Sequence, residues 1–362
     1  MNINKGKLID NFKNIKNIIN FNFLKCYNKL FNKEGISNNI GSYIILVIIL
    51  FHIITIFIFS IKQFPLLKNK IKTIAYKLKL SKKHKYKIKK KKSLHKNYSN
   101  KNIKNKQISH MKTLNDSQAK IIKKVRKKNK EMKEFIEEEI NGLSYNLALL
   151  YDKRNYCKYY FSLIKTQHNL ICALFNNNDY NCGIIKINLF FIGFTIEYIV
   201  NALFYDDDTM HKIYESKGDF DLDTQLPIAI YSTLISIILN YPLNFLALSN
   251  DAIINFKQNS TKNMIMEKTK VLNNNLLSKF VIYFIISFLF LLFFWYYLSM
   301  FGVIYKNTQI HLLKDTLISF GLSLFIPFIF YLLPGLFRIP SLSSENKKRE
   351  CLYNLSKFLQ LF

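Results

Sequence analysis

The residues best suited to chemistry are a carboxylate and an amide inside one apolar stretch, 184–204. Glu197 and Asn201 are four positions apart, so a helix places both on one face. Asn240 and Asn244 repeat this spacing in a second apolar stretch. A carboxyl group within such a stretch turns towards neighbouring helices or water, because its exposure to hydrocarbon is costly. The four residues predict a polar seam between two helices, which either carries protons or ions or holds the helices together.

An acidic run lies in the loop 205–225, directly after the stretch that carries Glu197. Asp206, Asp207 and Asp208 are consecutive, and a local run of this kind attracts cations. Calcium loops of the EF-hand type alternate oxygen ligands and place a Gly at the centre and a Glu at the end. The spacing here lacks these features, so a solvated charged loop is favoured over a metal site.

No pattern of catalytic residues stands out in the chain. Five cysteines occur without a CxxC pair, which argues against a disulfide framework and against a zinc site. The polar residues form no hydrolytic triad, P-loop or HExxH motif. The sequence therefore predicts a protein that is not an enzyme and uses no cofactor or metal ion.

Apolar stretches of membrane-spanning length recur along the chain. A helix needs about 20 residues to cross the hydrocarbon core of a bilayer. Five stretches approach or exceed that length, namely 43–61, 184–204, 226–248, 280–303 and 317–337. The sequence therefore predicts an all-α integral membrane protein with about five transmembrane helices.

The basic charge is concentrated in one part of the chain. The formal net charge is +30, and residues 62–133 hold 27 Lys and Arg residues against two acids. The segment 62–115 has low complexity and no apolar periodicity, which predicts a disordered cytoplasmic loop. Lysines beside a span are attracted to anionic lipid by about 1 kcal/mol each. The lysines with this predicted role are Lys82, Lys83, Lys89, Lys90, Lys91 and Lys92.

Nucleic acid is the other acidic partner to consider for this segment. Binding would require aromatic stacking groups or a recognisable module, and only Tyr76, Tyr86 and Tyr98 interrupt the lysines. Contact with anionic lipid or another acidic surface is therefore favoured over nucleic acid.

Four further segments complete the predicted organisation. Residues 1–42 form a polar amino segment without a signal peptide, either disordered or a short helix lying on the membrane. Apolar residues recur at helical spacing in 116–150, which predicts an amphipathic helix that packs along the membrane, on a partner or on a second copy. Residues 151–175 are rich in tyrosine and predict an aromatic helix at the membrane interface, either interfacial or re-entrant. Residues 338–362 form a basic cytoplasmic tail.

Charge beside the spans indicates their orientation. Lys and Arg are enriched in the cytoplasmic loops of membrane proteins. Lysines follow the first span and precede the fourth, and Arg338 follows the fifth, whereas the loop 205–225 is acidic. A single alternation of five spans fits these loops, with the amino end outside and the carboxyl end in the cytoplasm. The pattern does not indicate which cellular membrane is crossed.

Residues 151–359 resemble a known membrane module. The segments that carry the resemblance are YDKRNYCKYYFSLIK, NDYN followed by KINLFFI, NALFYDDDTMHKIYE, LPIAIYSTLISIIL, VIYKNTQIHLLKDTLISF and PGLFRIPSL. They are similar to the carboxyl-terminal multi-pass module of large, largely uncharacterised transmembrane proteins of ciliates and related protists. Members commonly carry a long ectodomain before the first span, so the resemblance implies a fragment or a shortened relative. NALFY and the loop after it are also similar to the non-pore membrane region of polycystin-type proteins.

Two functions from different classes fit these features. The first is a non-enzymatic scaffold or receptor-like module whose basic loop binds anionic lipid or acidic partners. The alternative is a transporter or ion-channel component that uses the polar seam. Tight packing around the seam would favour the scaffold, whereas a cavity wide enough for water would favour transport.

Overall fold

The computed structural model describes residues 28–30, 37–80, 135–205, 211, 215, 222–259, 264–343 and 349–360. All regular structure in these residues is helical, which confirms the predicted all-α class for them. Two predicted sites lie outside them. These are the lipid-binding lysines (Lys82, Lys83, Lys89, Lys90, Lys91 and Lys92) and the acidic residues Asp206, Asp207 and Asp208.

The described residues form twelve α-helices. The first, α1 (Ile40–Ile58), runs into a π-helical turn at Phe59–Gln63 and remains helical to Leu80. The others are α2 (Glu137–Asn141), α3 (Tyr145–Tyr151), α4 (Tyr156–Gln167), α5 (Asn169–Phe175), α6 (Gly183–Leu203), α7 (Leu222–Ala247), α8 (Asn250–Asn259), α9 (Ile265–Ile304), α10 (Gln309–Phe330), α11 (Leu332–Ser343) and α12 (Glu350–Leu359). The prediction of a disordered loop at 62–115 is therefore wrong for its described part, 62–80, which continues the first helix.

Five helices in the described part of the chain are long and apolar enough to cross a membrane. They are Ile40–Leu80, Gly183–Leu203, Ala229–Ala247, Ile265–Ile304 and Lys306–Ser343. Each contains one of the five apolar stretches found in the sequence or most of it. The predicted number of candidate spans is therefore confirmed.

Polar residues extend some of these helices beyond their apolar stretches. The helix α9 begins 15 residues before the predicted span 280–303. Thr269 and Asn273 are buried in this extension, and Lys279 Nζ donates to the carbonyl of Leu248 at 2.7 Å. Hydropathy locates only the apolar part of a helix, so packed polar turns at its end were not recognised.

The predicted helix 116–150 differs from the structure in its described part, and so does the environment of Arg338 in the predicted tail 338–362. From residue 135 onwards the predicted helix is broken, because α2 ends at Asn141 and α3 begins only after Ser144. The tail is largely helical, since it contains the end of α11 and the whole of α12. Its residue Arg338 is fully buried rather than exposed as a flanking charge.

The helix α6 lies at the centre of the bundle. It contacts α1, α7, α9 and α10, and its apolar window is the most buried of the five candidate spans. Neighbouring helices also cover its polar side chains, since Lys186, Asn188, Thr195, Glu197 and Asn201 are all buried. The stretch with Glu197 therefore occupies the position at which the other spans meet.

The candidate spans alternate in direction, which defines two ends of the bundle. At the Asn39 end, Asn39 Oδ1 accepts from the amide of Ser42 and its Nδ2 donates to the carbonyl of Ser299 at 2.6 Å. Gly302 permits this contact, because a Cβ there would lie 2.5 Å from Asn39 Oδ1. At the opposite Arg338 end, the short helices α2 to α5 pack against α11 and α12.

Candidate functional site

Glu197 is buried between α6 and α7 and is 3% exposed. The hydroxyl of Ser232 lies 3.3 Å from Glu197 Oε1, and that of Thr233 lies 3.5 Å from the same atom. Ser236 follows one turn later on α7, and its buried hydroxyl has no hydrogen-bond partner of normal geometry among the described residues. The carboxyl group is thus surrounded by hydroxyl groups from the neighbouring helix.

The other predicted members of the seam make different contacts. Asn201 Nδ2 donates to Ser319 Oγ at 2.7 Å, so it joins α6 to α10 rather than to α7. Asn240 lies beside Gly193 of α6, because a Cβ placed on Gly193 would be 3.8 Å from the side-chain amide of Asn240. Asn244 lies further along α7 and is half-buried. Within the described residues, no hydrogen bond joins any two of the four. The predicted seam is therefore divided between two helix pairs, because packing sets the rotation of each helix.

A second buried polar group links three candidate spans around His52. Its Nδ1 lies 3.1 Å from Asn188 Oδ1, and its Nε2 lies 3.3 Å from the carbonyl oxygen of Phe284. Tyr283 donates its hydroxyl hydrogen to the same Asn188 oxygen at 2.7 Å. These contacts connect α1, α6 and α9. Asn188 lies in the apolar stretch 184–204, but the sequence did not predict it as a site residue.

The strongest charge cluster in the described residues lies at the Arg338 end. Arg338 is 0% exposed, and its guanidinium lies 2.8 Å from Asp152 Oδ2. Arg154 approaches the other carboxylate oxygen at 2.8 Å. The remaining Arg338 donors reach the carbonyls of Asn141 and Ile140 at 3.1 and 2.9 Å. The buried guanidinium is therefore satisfied on all sides, as a structural ion pair must be.

Two aromatic rings complete this cluster. The Arg338 guanidinium lies 4.9 Å from the ring centre of Tyr159 and 4.8 Å from that of Tyr353, which is within the range of cation–π attraction. Burial raises the pKa of the Asp152 carboxyl, but hydrogen bonds and charge from Arg154 and Arg338 outweigh it and hold the pKa below its ordinary value. Asp152 is therefore a carboxylate at neutral pH, and the cluster fixes α12 to the chain before α4.

The helix α4 contacts a row of backbone carbonyls on the last candidate span. Tyr156 and Tyr160 donate their hydroxyl hydrogens to the carbonyls of Leu332 and Phe328 at 2.8 and 3.1 Å. His168 Nε2 lies 2.8 Å from the carbonyl oxygen of Leu324. A carbonyl only accepts, so this nitrogen carries the proton. The three carbonyls are spaced four residues apart around Pro327, which disturbs the helical hydrogen bonds there.

A buried network of lysines and acids connects α2 with α6 and α8. Lys186 Nζ lies 2.8 Å from Asp179 Oδ2 and donates to the carbonyl of Asn176 at 2.5 Å. Lys257 Nζ lies 2.5 Å from Glu139 Oε1, and the Tyr180 hydroxyl donates to that oxygen at 3.1 Å. Burial raises the pKa of the Tyr180 hydroxyl, so it remains a donor at neutral pH.

Glu138 is the titratable acid of this network. Asn250 Nδ2 donates to its Oε2. Burial, followed by the charge of Asp179, raises the pKa of Glu138 to about 8. The described residues contain no group of three His, Cys, Asp or Glu side chains placed to hold a metal ion. The network is thus an arrangement of charged pairs around a carboxyl that is mostly protonated at neutral pH.

No protein-family model, curated protein or solved structure matches this chain. The resemblance to the membrane module of ciliate and protist proteins therefore stays a prediction, as does the similarity to polycystin-type proteins.

Sequence reasoning missed most of the charged residues that the structure brings together. Arg338 and Asp152 are separated by 186 positions, so no local pattern joins them. Lys186 carried a usable signal, because it is a lysine within the apolar stretch 184–204. Such a residue needs a partner when it is buried, and Asp179 is the nearest preceding acid.

Proposed function

We propose that the chain is an integral membrane protein with five spans that acts as a non-enzymatic scaffold. The observation that carries this proposal is the use of buried polar side chains between helices. Asn188 joins His52 and Tyr283 across three helices, and Asn201 joins Ser319 across two. Hydrogen bonds between side chains of different helices hold membrane helices together. Glu197 belongs to the same class of contact, because its hydroxyl neighbours come from α7.

The Arg338 end is the proposed cytoplasmic end. Basic loops favour the cytoplasmic side. The residues that precede and follow the basic segment 81–134 both lie at this end of the bundle. Lys70, ahead of the segment, and Phe135, just after it, line one cavity there. The basic segment would therefore act beside a folded cap of short helices, where its lysines contact anionic lipid or an acidic partner.

Ion flux in reconstituted vesicles tests the scaffold against the transporter. We expect wild-type chain, Glu197→Gln and the control Glu267→Gln to give the same flux as empty vesicles. Glu267 is an exposed acid at the start of α9, so its replacement controls for the loss of a charge. Flux in the wild type and in Glu267→Gln that disappears in Glu197→Gln would favour the transporter and contradict the scaffold.

Vesicle adhesion tests the proposed role of the basic segment. Phosphatidylcholine proteoliposomes with the Arg338 end outward are mixed with vesicles that contain phosphatidylserine. We expect adhesion that falls as salt is raised, because the attraction is electrostatic. Replacement of Lys82, Lys83, Lys89, Lys90, Lys91 and Lys92 by Gln is expected to weaken it. Adhesion that is unchanged by this replacement would contradict the lipid role of these lysines.

A further inference from the structure

A cavity of about 450 Å³ lies at the Arg338 end, between α2, α4 and the chain before α6. This volume falls within the range of small-molecule sites, about 300–1,000 Å³. Its lining combines carboxyl groups, lysines, amides and apolar side chains. The charged members are Lys70, Glu137, Glu138, Lys165 and Asp179. A wall with both signs of charge differs from a simple anion or cation site.

One side of the cavity presents a carboxylate. Glu137 Oε1 lies 3.2 Å from Lys165 Nζ, and the Glu137 side chain is 43% exposed, so the carboxylate can accept a further hydrogen bond from a molecule in the cavity. Glu137 Oε2 is itself buried and has no hydrogen-bond partner among the described residues. A ligand with an N–H donor therefore suits this side of the cavity better than a ligand without one.

Another side of the cavity presents positive charge. Lys70 Nζ donates to the main-chain carbonyl of Asp179, whose carboxylate is already paired with Lys186 at 2.8 Å. Within the described residues, no carboxylate lies at ion-pair distance from Lys70. Glu138 adds little negative charge here, since its pKa is raised to about 8. The ammonium group of Lys70 is thus available for an acidic group of a ligand.

We propose that this cavity binds a small zwitterion, with its amine towards Glu137 and its acidic group towards Lys70. Phosphoethanolamine has this chemistry, both as a free molecule and as the headgroup of phosphatidylethanolamine. Phosphocholine has the same charges but no N–H donor, so it cannot donate a hydrogen bond to the Glu137 carboxylate. This ligand goes beyond the scaffold role, and binding of the free molecule does not depend on how the chain lies in a bilayer.

Calorimetric titration of the purified full chain in detergent tests the proposal. We expect phosphoethanolamine to bind and phosphocholine to bind at least about tenfold more weakly, as loss of a charge-assisted hydrogen bond implies. Glu137→Gln and Lys70→Gln are each expected to weaken binding of phosphoethanolamine by about the same factor. Lys158→Gln is the matched control, because Lys158 is exposed on α4 outside the cavity.

A second measurement distinguishes the two sources of the ligand. Nanodiscs that hold the chain in phosphatidylcholine, with or without phosphatidylethanolamine, are titrated with free phosphoethanolamine. Weaker apparent binding in the presence of phosphatidylethanolamine assigns the cavity to the lipid headgroup, and equal binding assigns it to the free molecule. The proposal is overturned if phosphoethanolamine does not bind in detergent or in nanodiscs. It is also overturned if phosphocholine binds equally well, or if both cavity variants bind like the wild type.

Discussion

The guanidinium of Arg338 lies 2.8 Å from the carboxylate of Asp152, although 186 positions separate the two residues. Arg338 lies on α11 and Asp152 directly follows α3. The pair therefore connects the last part of the chain with the segment that precedes the central helix α6. It turns a set of short helices into one packed cap at the Arg338 end.

Removal of the Asp152 charge is expected to unfold this cap readily. In Asp152→Asn the buried Arg338 loses its counter-charge, and such a loss costs about 3–5 kcal/mol. Unfolding by denaturant in detergent micelles measures this change. Glu350→Gln is the control, because Glu350 is an exposed acid on α12 and its loss should cost less than about 0.5 kcal/mol. Equal stability of the two variants would show that the ion pair does not hold the cap.

Glu138 gives the cap a defined dependence on pH. Its pKa is raised from 4.5 to about 8 by burial and then by the charge of Asp179. Between these two values the folded chain holds a proton that the unfolded chain has released. The free energy of unfolding contributed by Glu138 therefore falls as pH rises through this window.

The matched variant for this pH dependence is Glu138→Gln, which is neutral at every pH and keeps an acceptor for Asn250. We expect its free energy of unfolding to fall less steeply than that of the wild type between pH 4.5 and about 8. Denaturant titrations at a series of pH values give both slopes. Parallel slopes for the two proteins would contradict a protonated Glu138 in the folded cap.

His168 is expected to stabilise the last candidate span near Pro327. It lies 2.8 Å from the carbonyl oxygen of Leu324, three residues before Pro327. His168→Phe keeps an aromatic ring against Phe328 but removes the hydrogen bond to this carbonyl, at a cost of about 0.5–1.5 kcal/mol. His168→Gln supplies a donor again and should recover part of the loss. Melting in detergent ranks the variants, and a Phe variant as stable as the wild type would contradict this role.

Replacement of Asn201 should lower the free energy of unfolding more than replacement of Asn244, although the sequence predicts both residues in the same polar seam. Asn201 is buried and donates to Ser319 at 2.7 Å, whereas Asn244 is half-buried. Asn201→Ala is expected to cost about 1 kcal/mol, as interhelical hydrogen bonds in membrane proteins do. Asn244→Ala should cost less. The reverse order in equilibrium unfolding would restore the predicted seam of four residues.

Hydropathy was sufficient to predict the number of candidate spans but not the contacts between them. A run of about 20 apolar residues is a local property, and α6 satisfies it despite Glu197 and Asn201. The rotation of α6 about its axis depends instead on packing with four other helices. Glu197 consequently lies near Ser232, and Asn201 near Ser319, rather than both facing the asparagines of α7.

Charge counting also has a physical limit, which Arg338 illustrates. Its position after an apolar stretch predicts a solvated basic residue at a membrane boundary. The structure buries it because Asp152, two backbone carbonyls and two tyrosine rings replace water around the guanidinium. Apart from Tyr353, these partners come from the distant segment 140–159, so the sequence near Arg338 does not report them.

We propose that the five candidate spans cross a membrane and leave the Arg338 end on one side of it. Cys157 and Cys351 are exposed thiols at that end, and Cys26 precedes the first span. Three variants that each retain one of these cysteines are placed in sealed vesicles of known orientation and treated with a membrane-impermeant thiol reagent. We expect Cys157 and Cys351 to react from one side and Cys26 from the opposite side. Reaction of Cys26 and Cys351 from the same side would require an even number of crossings and would contradict the five-span account.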